Sequence, residues 1–98
     1  MSSDEKRDAY RKKVEAQLRE WDAKMDQLQA KMDKAEAQAR IEYQSRLQDL
    51  RTKQAAAQQK LAELSAAGAD AWKELQDGVD RATSELKKSM ESAWAKLG

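Results

Sequence analysis

The stretch LSAAGADAW, residues 64–72, contains the clearest interruption in a sequence that otherwise favours helix. Gly68 suits the C-terminal end of one helix, and Asp70 suits the first turn of the next. A continuous helix is the alternative, because an interior glycine costs only about 1 kcal/mol relative to alanine. We predict a break near residues 66–70.

The composition on both sides of this stretch predicts an all-α protein. Of the 98 residues, 38% are charged and 40% are apolar, but 18 of the apolar residues are alanine, and proline is absent. Such a mixture is typical of long helices and coiled coils. We predict a single elongated domain over residues 1–98, a coiled-coil or helical-bundle assembly with helix one over about residues 3–65 and helix two over about 70–97.

Large residues recur along the chain at steps of three and four, which predicts one apolar stripe on a helix. The two four-residue steps from Ala39 through Tyr43 to Leu47 interrupt the heptad and predict weak supercoiling. The stripe supplies the residues that we assign to helix–helix interfaces. They are Val14, Leu18, Trp21, Met25, Leu28, Met32, Leu47, Leu50, Leu61, Leu64, Trp72, Leu75, Val79, Leu86, Met90, Trp94 and Leu97.

The unequal lengths of the two predicted helices indicate self-association. If the chain folds back near residues 66–70, the short second helix leaves residues 5–38 of the first one uncovered. An amphipathic helix gains most of its stability from packing, so this segment needs a partner. We predict a homo-oligomer, an antiparallel dimer or a larger bundle, with another helical protein as the alternative partner. A parallel dimer fits less well, because the stripe lacks the alternation of β-branched residues and leucine that specifies one.

An 11-residue repeat runs through the last third of the chain, as AWKEL at 71–75, ATSEL at 82–86 and AWAKL at 93–97. Eleven residues make almost three helical turns, so Trp72 and Trp94 lie along one edge of one face. The face either packs on other helices, with both indoles as large contact residues, or lies on a membrane or lipid surface. The mixed charges of the polar side favour helix packing over the membrane surface.

The sequence lacks the residues that most catalytic and metal sites require. Histidine and cysteine are absent, which removes the commonest general base and most transition-metal ligand sets. The net charge of +1 is evenly spread, unlike that of a nucleic-acid binder. We predict a non-enzymatic protein with no cofactor, no metal and no nucleic-acid partner. Because no apolar leader or 18-residue apolar run occurs, we expect a cytoplasmic location.

Three segments carry a resemblance to a known group of proteins. They are LREWDAK at 18–24, the stretch from Tyr43 to Leu50 with its paired leucines, and the stretch from Lys60 to Val79 with KLAEL and AWKEL. Through these segments the chain resembles small bacterial proteins described only as coiled-coil domain proteins. The resemblance implies an all-helical, non-enzymatic protein with stress-associated or envelope-associated roles, and it supplies no catalytic residues.

Overall fold

A computed structural model describes residues 3–97, except for the side chain of Ser3, and shows three helices. These are α1 (Ser3–Lys34), α2 (Ala37–Ala66) and α3 (Ala69–Leu97). They contain 32, 30 and 29 residues and pack into a bundle of 52 × 19 × 19 Å. The prediction of an all-α helical bundle is confirmed. The prediction of one helix over about residues 3–65 is wrong, because the chain turns back after Lys34.

The turn between α1 and α2 consists of Ala35 and Glu36, two residues that favour helix. Glu36 is extended, with φ −65° and ψ 159°, and its side chain makes no capping hydrogen bond. The guanidinium of Arg40 donates to the carbonyl oxygen of Ala35 at 3.1 Å and to that of Asp33 at 3.4 Å. Arg40 therefore supplies hydrogen bonds to carbonyl groups at the end of α1, where a helix runs out of its own donors.

The turn between α2 and α3 lies where the break was predicted. Ala67 is extended, and its N–H donates to the carbonyl oxygen of Leu64 at 3.1 Å. Gly68 has no positive φ, so it does not form the left-handed cap for which glycine is usually selected. Its carbonyl oxygen instead accepts from the N–H of Ala71 at 3.3 Å, in the first turn of α3. The chain leaves the helix at Ala67 and Gly68, within the range 66–70, and α3 begins at Ala69.

The three helices place their apolar stripes around one common core. Most of the core residues follow the three-and-four spacing of a heptad within each helix. The buried apolar residues are Val14, Leu18, Trp21, Met25 and Leu28 of α1, Leu47, Leu50, Ala57, Leu61 and Leu64 of α2, and Val79, Leu86, Met90 and Ala93 of α3. Because the helices have nearly equal lengths, each one covers the apolar stripes of the other two.

One polar side chain, Gln54, lies within this core at 6% exposure. Its Nε2 donates to the carbonyl oxygen of Leu18 at 2.8 Å, while its buried Oε1 has no hydrogen-bond partner. The bond joins the middle of α2 to the middle of α1. A buried amide of this kind restricts how the two helices can slide, because only one level of the bundle satisfies its N–H group.

Contacts between the helices define an up-down-up topology. Tyr43, near the start of α2, donates through its hydroxyl to the carbonyl oxygen of Leu97 at 2.8 Å. Asp4 lines the same cleft as Ala67 at the other end of the bundle. Neighbouring helices in sequence are therefore antiparallel, and α1 is parallel to α3. The two ends of the described chain lie at opposite ends of the long axis.

Candidate interaction surface

The structure places all seventeen predicted interface residues in the core of a single chain. Met32, Trp72, Leu75, Trp94 and Leu97 are partly buried against this core, and the other twelve are buried within it. The uncovered segment over residues 5–38, which was the reason for predicting self-association through the stripe, does not exist. The helix α1 packs on α2 and α3 of its own chain, so these residues do not form a free surface.

The two tryptophans of the repeat lie along the line where α1 meets α3, which we call the α1–α3 seam. At one end, the rings of Trp72 and Tyr10 form an edge-to-face contact with centroids 6.2 Å apart. The guanidinium of Arg7 lies 5.3 Å from the Trp72 ring, and Trp72 Nε1 donates to Gln76 Oε1 at 3.0 Å. The first indole of the repeat is thus a contact of α3 with α1.

The second tryptophan occupies the equivalent position at the other end of the α1–α3 seam. The Nζ atoms of Lys24 and Lys31 lie 6.0 and 5.4 Å from the Trp94 ring. Beside it, a shallow groove of about 490 Å³ is lined by Trp21, Met90 and several charged residues of both signs. This mixture of charges does not favour an anion or a cation, so the groove indicates no particular ligand.

The most strongly perturbed titratable group also lies at the α1–α3 seam. Burial raises the pKa of the Tyr10 hydroxyl well above its ordinary value, and its hydrogen bond to Asp80 and the charges of Asp80 and Asp77 raise it further. The phenol therefore stays protonated and holds α1 to α3. The other shifted group among the described residues is Asp8, whose pKa is lowered by its hydrogen bond to Lys12 of the same helix, so we assign Tyr10 a structural role.

The outward surfaces of the three helices differ in charge. Opposite its core stripe, α1 exposes charged residues such as Glu5, Lys12 and Asp26, and α3 exposes charged residues such as Asp77 and Lys88. The same side of α2 carries no charged residue from Ala37 to Ala62. In a chain of which 38% is charged, this is a clear departure. We define the outer face of α2 as the exposed residues Ala37, Ile41, Gln44, Ser45, Gln48, Thr52, Ala55, Gln59 and Ala62.

The outer face of α2 combines small residues, amides and one large apolar side chain. Ile41 is 70% exposed and stands out as a large exposed hydrophobic residue. The Thr52 hydroxyl donates to the carbonyl oxygen of Gln48 at 2.9 Å, so the hydroxyl is already engaged within the helix. At 1.5 Å per residue, the face is about 38 Å long. A surface of this kind can be desolvated without burying an ion.

Charged residues lie along the two edges of this face, and Glu63, in line with Ser45, follows its carboxy-terminal end. On the edge towards α3, the acids Glu42 and Asp49 precede the bases Lys53 and Lys60, with Arg46 between the two acids. Glu42 lies 3.8 Å from Arg46, and Asp49 lies 3.1 Å from Lys53. The two acids thus lie in the amino-terminal half of this edge and the two lysines in its carboxy-terminal half. If a second copy of α2 lay antiparallel along this edge, its lysines would lie opposite the acids of the first copy.

Other kinds of site find no support among residues 3–97. Within this range, no group of three or more aspartate, glutamate, histidine or cysteine side chains is arranged to hold a metal ion. None of the three helices, over the same range, is long and apolar enough to cross a membrane. The outer face of α2 is therefore the candidate interaction surface.

Our interpretation of the sequence missed this face, because it attended only to the apolar stripe. The signal was present in the printed sequence from Ala37 to Ala62, where charges avoid one helical side. The outward direction of this side follows from the burial of Leu47 and Leu50 and the packing of Tyr43 against the core, which the sequence alone does not fix.

Comparison with family models, with curated proteins and with solved structures finds no match to this chain. The resemblance to bacterial coiled-coil domain proteins therefore stays a prediction.

Proposed function

We propose that this chain is a non-enzymatic protein–protein interaction element of the cytoplasm that binds its partner through the outer face of α2. The single observation that carries the proposal is the absence of charge along this face, in a protein whose other two outward surfaces are charged. The apolar stripe is engaged within the bundle and acts as the support for this face.

The physical argument concerns desolvation. Burying a charged side chain at an interface is costly unless it is paired, whereas alanine, threonine and glutamine can be buried at little cost or with hydrogen bonds. Small side chains also allow the backbone of a partner helix to approach closely. Ile41, at 70% exposure, supplies a large apolar contact near one end. A partner surface that is helical and largely uncharged fits these properties.

Photocrosslinking in living cells tests this function. A benzophenone amino acid replaces Gln48, in the middle of the outer face of α2, in the full chain. We expect protein adducts on irradiation, because the probe would be enclosed by the partner. The matched control places the same probe at Ala23, an exposed residue on the outward side of α1. Equal yields at the two positions, or no adducts at either, would contradict the proposed function.

A second candidate is a stress-protective protein that binds a lipid surface by opening the bundle. It is supported by the α1–α3 seam, along which α1 and α3 pack less extensively than α2 and α3 do. Opening the seam would expose Trp72 and Trp94 beside Arg7, Lys24 and Lys31, which suits an anionic surface. Anionic vesicles should then shift tryptophan fluorescence to the blue. An unchanged spectrum at saturating lipid would rule this candidate out.

A further inference from the structure

We infer that the partner of the outer face of α2 is a second copy of this chain, docked with its α2 antiparallel to the first. This inference rests on the proposed function and names the occupant of the same surface. It differs from the self-association predicted from the apolar stripe, because that stripe is enclosed within each bundle. The two bundles would meet along their α2 helices, with a two-fold axis close to Thr52.

Side-chain sizes on the face complement one another in this arrangement. With the axis between Arg51 and Thr52, Ile41 comes opposite the partner's Ala62, next to the partner's Glu63, so that its large side chain meets a small one. Gln48 comes opposite the partner's Ala55. All four residues are exposed in the single chain. In a two-fold symmetric dimer, each pairing occurs once on each side of the axis, so the interface contains two Ile41–Ala62 contacts and two Gln48–Ala55 contacts.

The amides of the face find equivalent partners. Gln44 comes opposite the partner's Gln59, and two glutamine side chains can each donate and accept a hydrogen bond. Thr52 meets its own copy at the axis. Because its hydroxyl already donates to the Gln48 carbonyl oxygen at 2.9 Å, its methyl group is free to make this contact. The Gln44 and Gln59 amides and the Thr52 hydroxyl therefore keep hydrogen-bond partners on dimerisation.

The edge charges favour the antiparallel direction. In an antiparallel helix pair, the same edge of each helix lies against its own copy. Glu42 then faces the partner's Lys60, and Asp49 faces the partner's Lys53. Arg51, near the axis on the other edge, donates to Gln29 of α1 at 2.9 Å and is held away from the contact. A second copy thus meets opposite charges along the edge that carries both signs.

The size of the contact predicts its strength. A face about 38 Å long and one helix wide, about 10–12 Å, gives an interface at or below the low end of stable complexes, about 1,200 Å² in total. We therefore expect a reversible dimer with a dissociation constant in the micromolar range or weaker. Its population should rise steadily with protein concentration in sedimentation equilibrium, and a monomer at the highest soluble concentration would overturn the inference.

Disulfide trapping tests the register, since the natural sequence contains no cysteine. The Thr52→Cys chain should form a disulfide-linked dimer under mild oxidation, faster than Ala23→Cys, whose cysteine is exposed on α1. A mixture of Gln48→Cys and Ala55→Cys chains should give more of the mixed dimer than of either homodimer. A parallel, in-register pair would instead give the Gln48→Cys and Ala55→Cys homodimers as the main products, which would overturn the antiparallel arrangement.

An added charge tests the face itself. Ile41→Lys should weaken dimerisation by about tenfold or more, because a lysine would be buried against the partner's Ala62. Gln27→Lys, on the outward side of α1, should leave the dimer unchanged. Circular dichroism of both variants checks that the bundle is retained.

If the Thr52→Cys chain traps no dimer while the probe at Gln48 still captures a different protein, the second copy is the wrong occupant and the proposed function stands. If neither reacts, both fail.

Discussion

The helix α3 is joined to its two neighbours by different kinds of side chain. Along the α1–α3 seam, aromatic rings lie under cations, as with Trp72 under Arg7 and Trp94 under Lys24 and Lys31. Between α2 and α3, small residues such as Ala93 lie in the contact, with hydrogen bonds such as that from Arg46 to Ser92 at 3.3 Å. Large rings keep two helices further apart, whereas small residues let them approach closely. The 11-residue repeat of α3 therefore forms two different interfaces, one with α1 and one with α2.

The largest expected effect comes from removing the rings. Trp72→Ala and Trp94→Ala should each lower the free energy of unfolding by about 2 kcal/mol, less than for fully buried tryptophans because both are partly exposed. Hydrogen exchange should show greater loss of protection in α1 than in α2, measured at equal denaturant. Equal losses in all three helices would show that the two interfaces of α3 are coupled too tightly to be distinguished.

The second effect comes from adding volume between α2 and α3. Ala93 is 1% exposed and lines the cleft that contains Leu50, so Ala93→Leu should cost about 1–3 kcal/mol by overpacking. Ala95→Leu, on the exposed side of α3, is the matched control and should change stability by less than about 0.5 kcal/mol. Urea unfolding of both variants measures the difference. If Ala93→Leu were neutral, close approach would not be the basis of this interface.

A smaller, stabilising effect is expected at Gly78. A Cβ atom at this position would lie 3.9 Å from Lys60 Nζ, an ordinary van der Waals distance. Gly78→Ala should therefore raise the free energy of unfolding by about 0.5–1 kcal/mol through helix propensity alone. Thermal unfolding should show a midpoint higher by a few degrees. A decrease would mean that α2 and α3 approach too closely here to accept a methyl group.

The smallest effect concerns pH at the α1–α3 seam. Because the folded-state pKa of Tyr10 is raised above its unfolded value of about 10, its contribution to stability is present below that pH and is lost as the pH rises above it. Tyr10→Phe should reduce the fall in thermal midpoint above about pH 10. Tyr43→Phe is the control, since it removes a hydroxyl that bonds Leu97 and leaves Tyr10 in place. An unchanged alkaline fall in Tyr10→Phe would contradict the role given to this phenol.

The two turns show how far the sequence alone could lead. The break at Ala67–Gly68 was predictable, because glycine interrupts a run of helix formers. The turn at Ala35–Glu36 was not, because both residues favour helix and what supports the turn is Arg40, a side chain that follows it in sequence. Packing of α1 against α2 overrides local preference there.

Because the sequence did not predict the turn at Ala35–Glu36, the apolar stripe was assigned to contacts with another chain. The spacing of the stripe identified residues such as Leu28 and Leu86 as contact residues, and both are fully buried. Whether a stripe faces its own chain or another one depends on where the chain reverses. With a single long helix, Leu28 needed an external partner, whereas with three helices of equal length it has an internal one. The outer face of α2 could be recognised only after this reversal was known.

The up-down-up order has a mechanical consequence. Asp4 and Leu97 lie at opposite ends of a bundle 52 Å long, because an odd number of antiparallel helices separates the first residue from the last. A force that pulls these ends apart acts along the helix axes, and it must slide the helices past one another in shear. In a two-helix hairpin, both chain ends lie at the same end of the structure. Pulling on them would separate the helices one turn at a time, which requires less force than shear. Under tension, sliding would have to break the hydrogen bond from Gln54 to Leu18 and the contacts of Trp72 and Trp94 with α1.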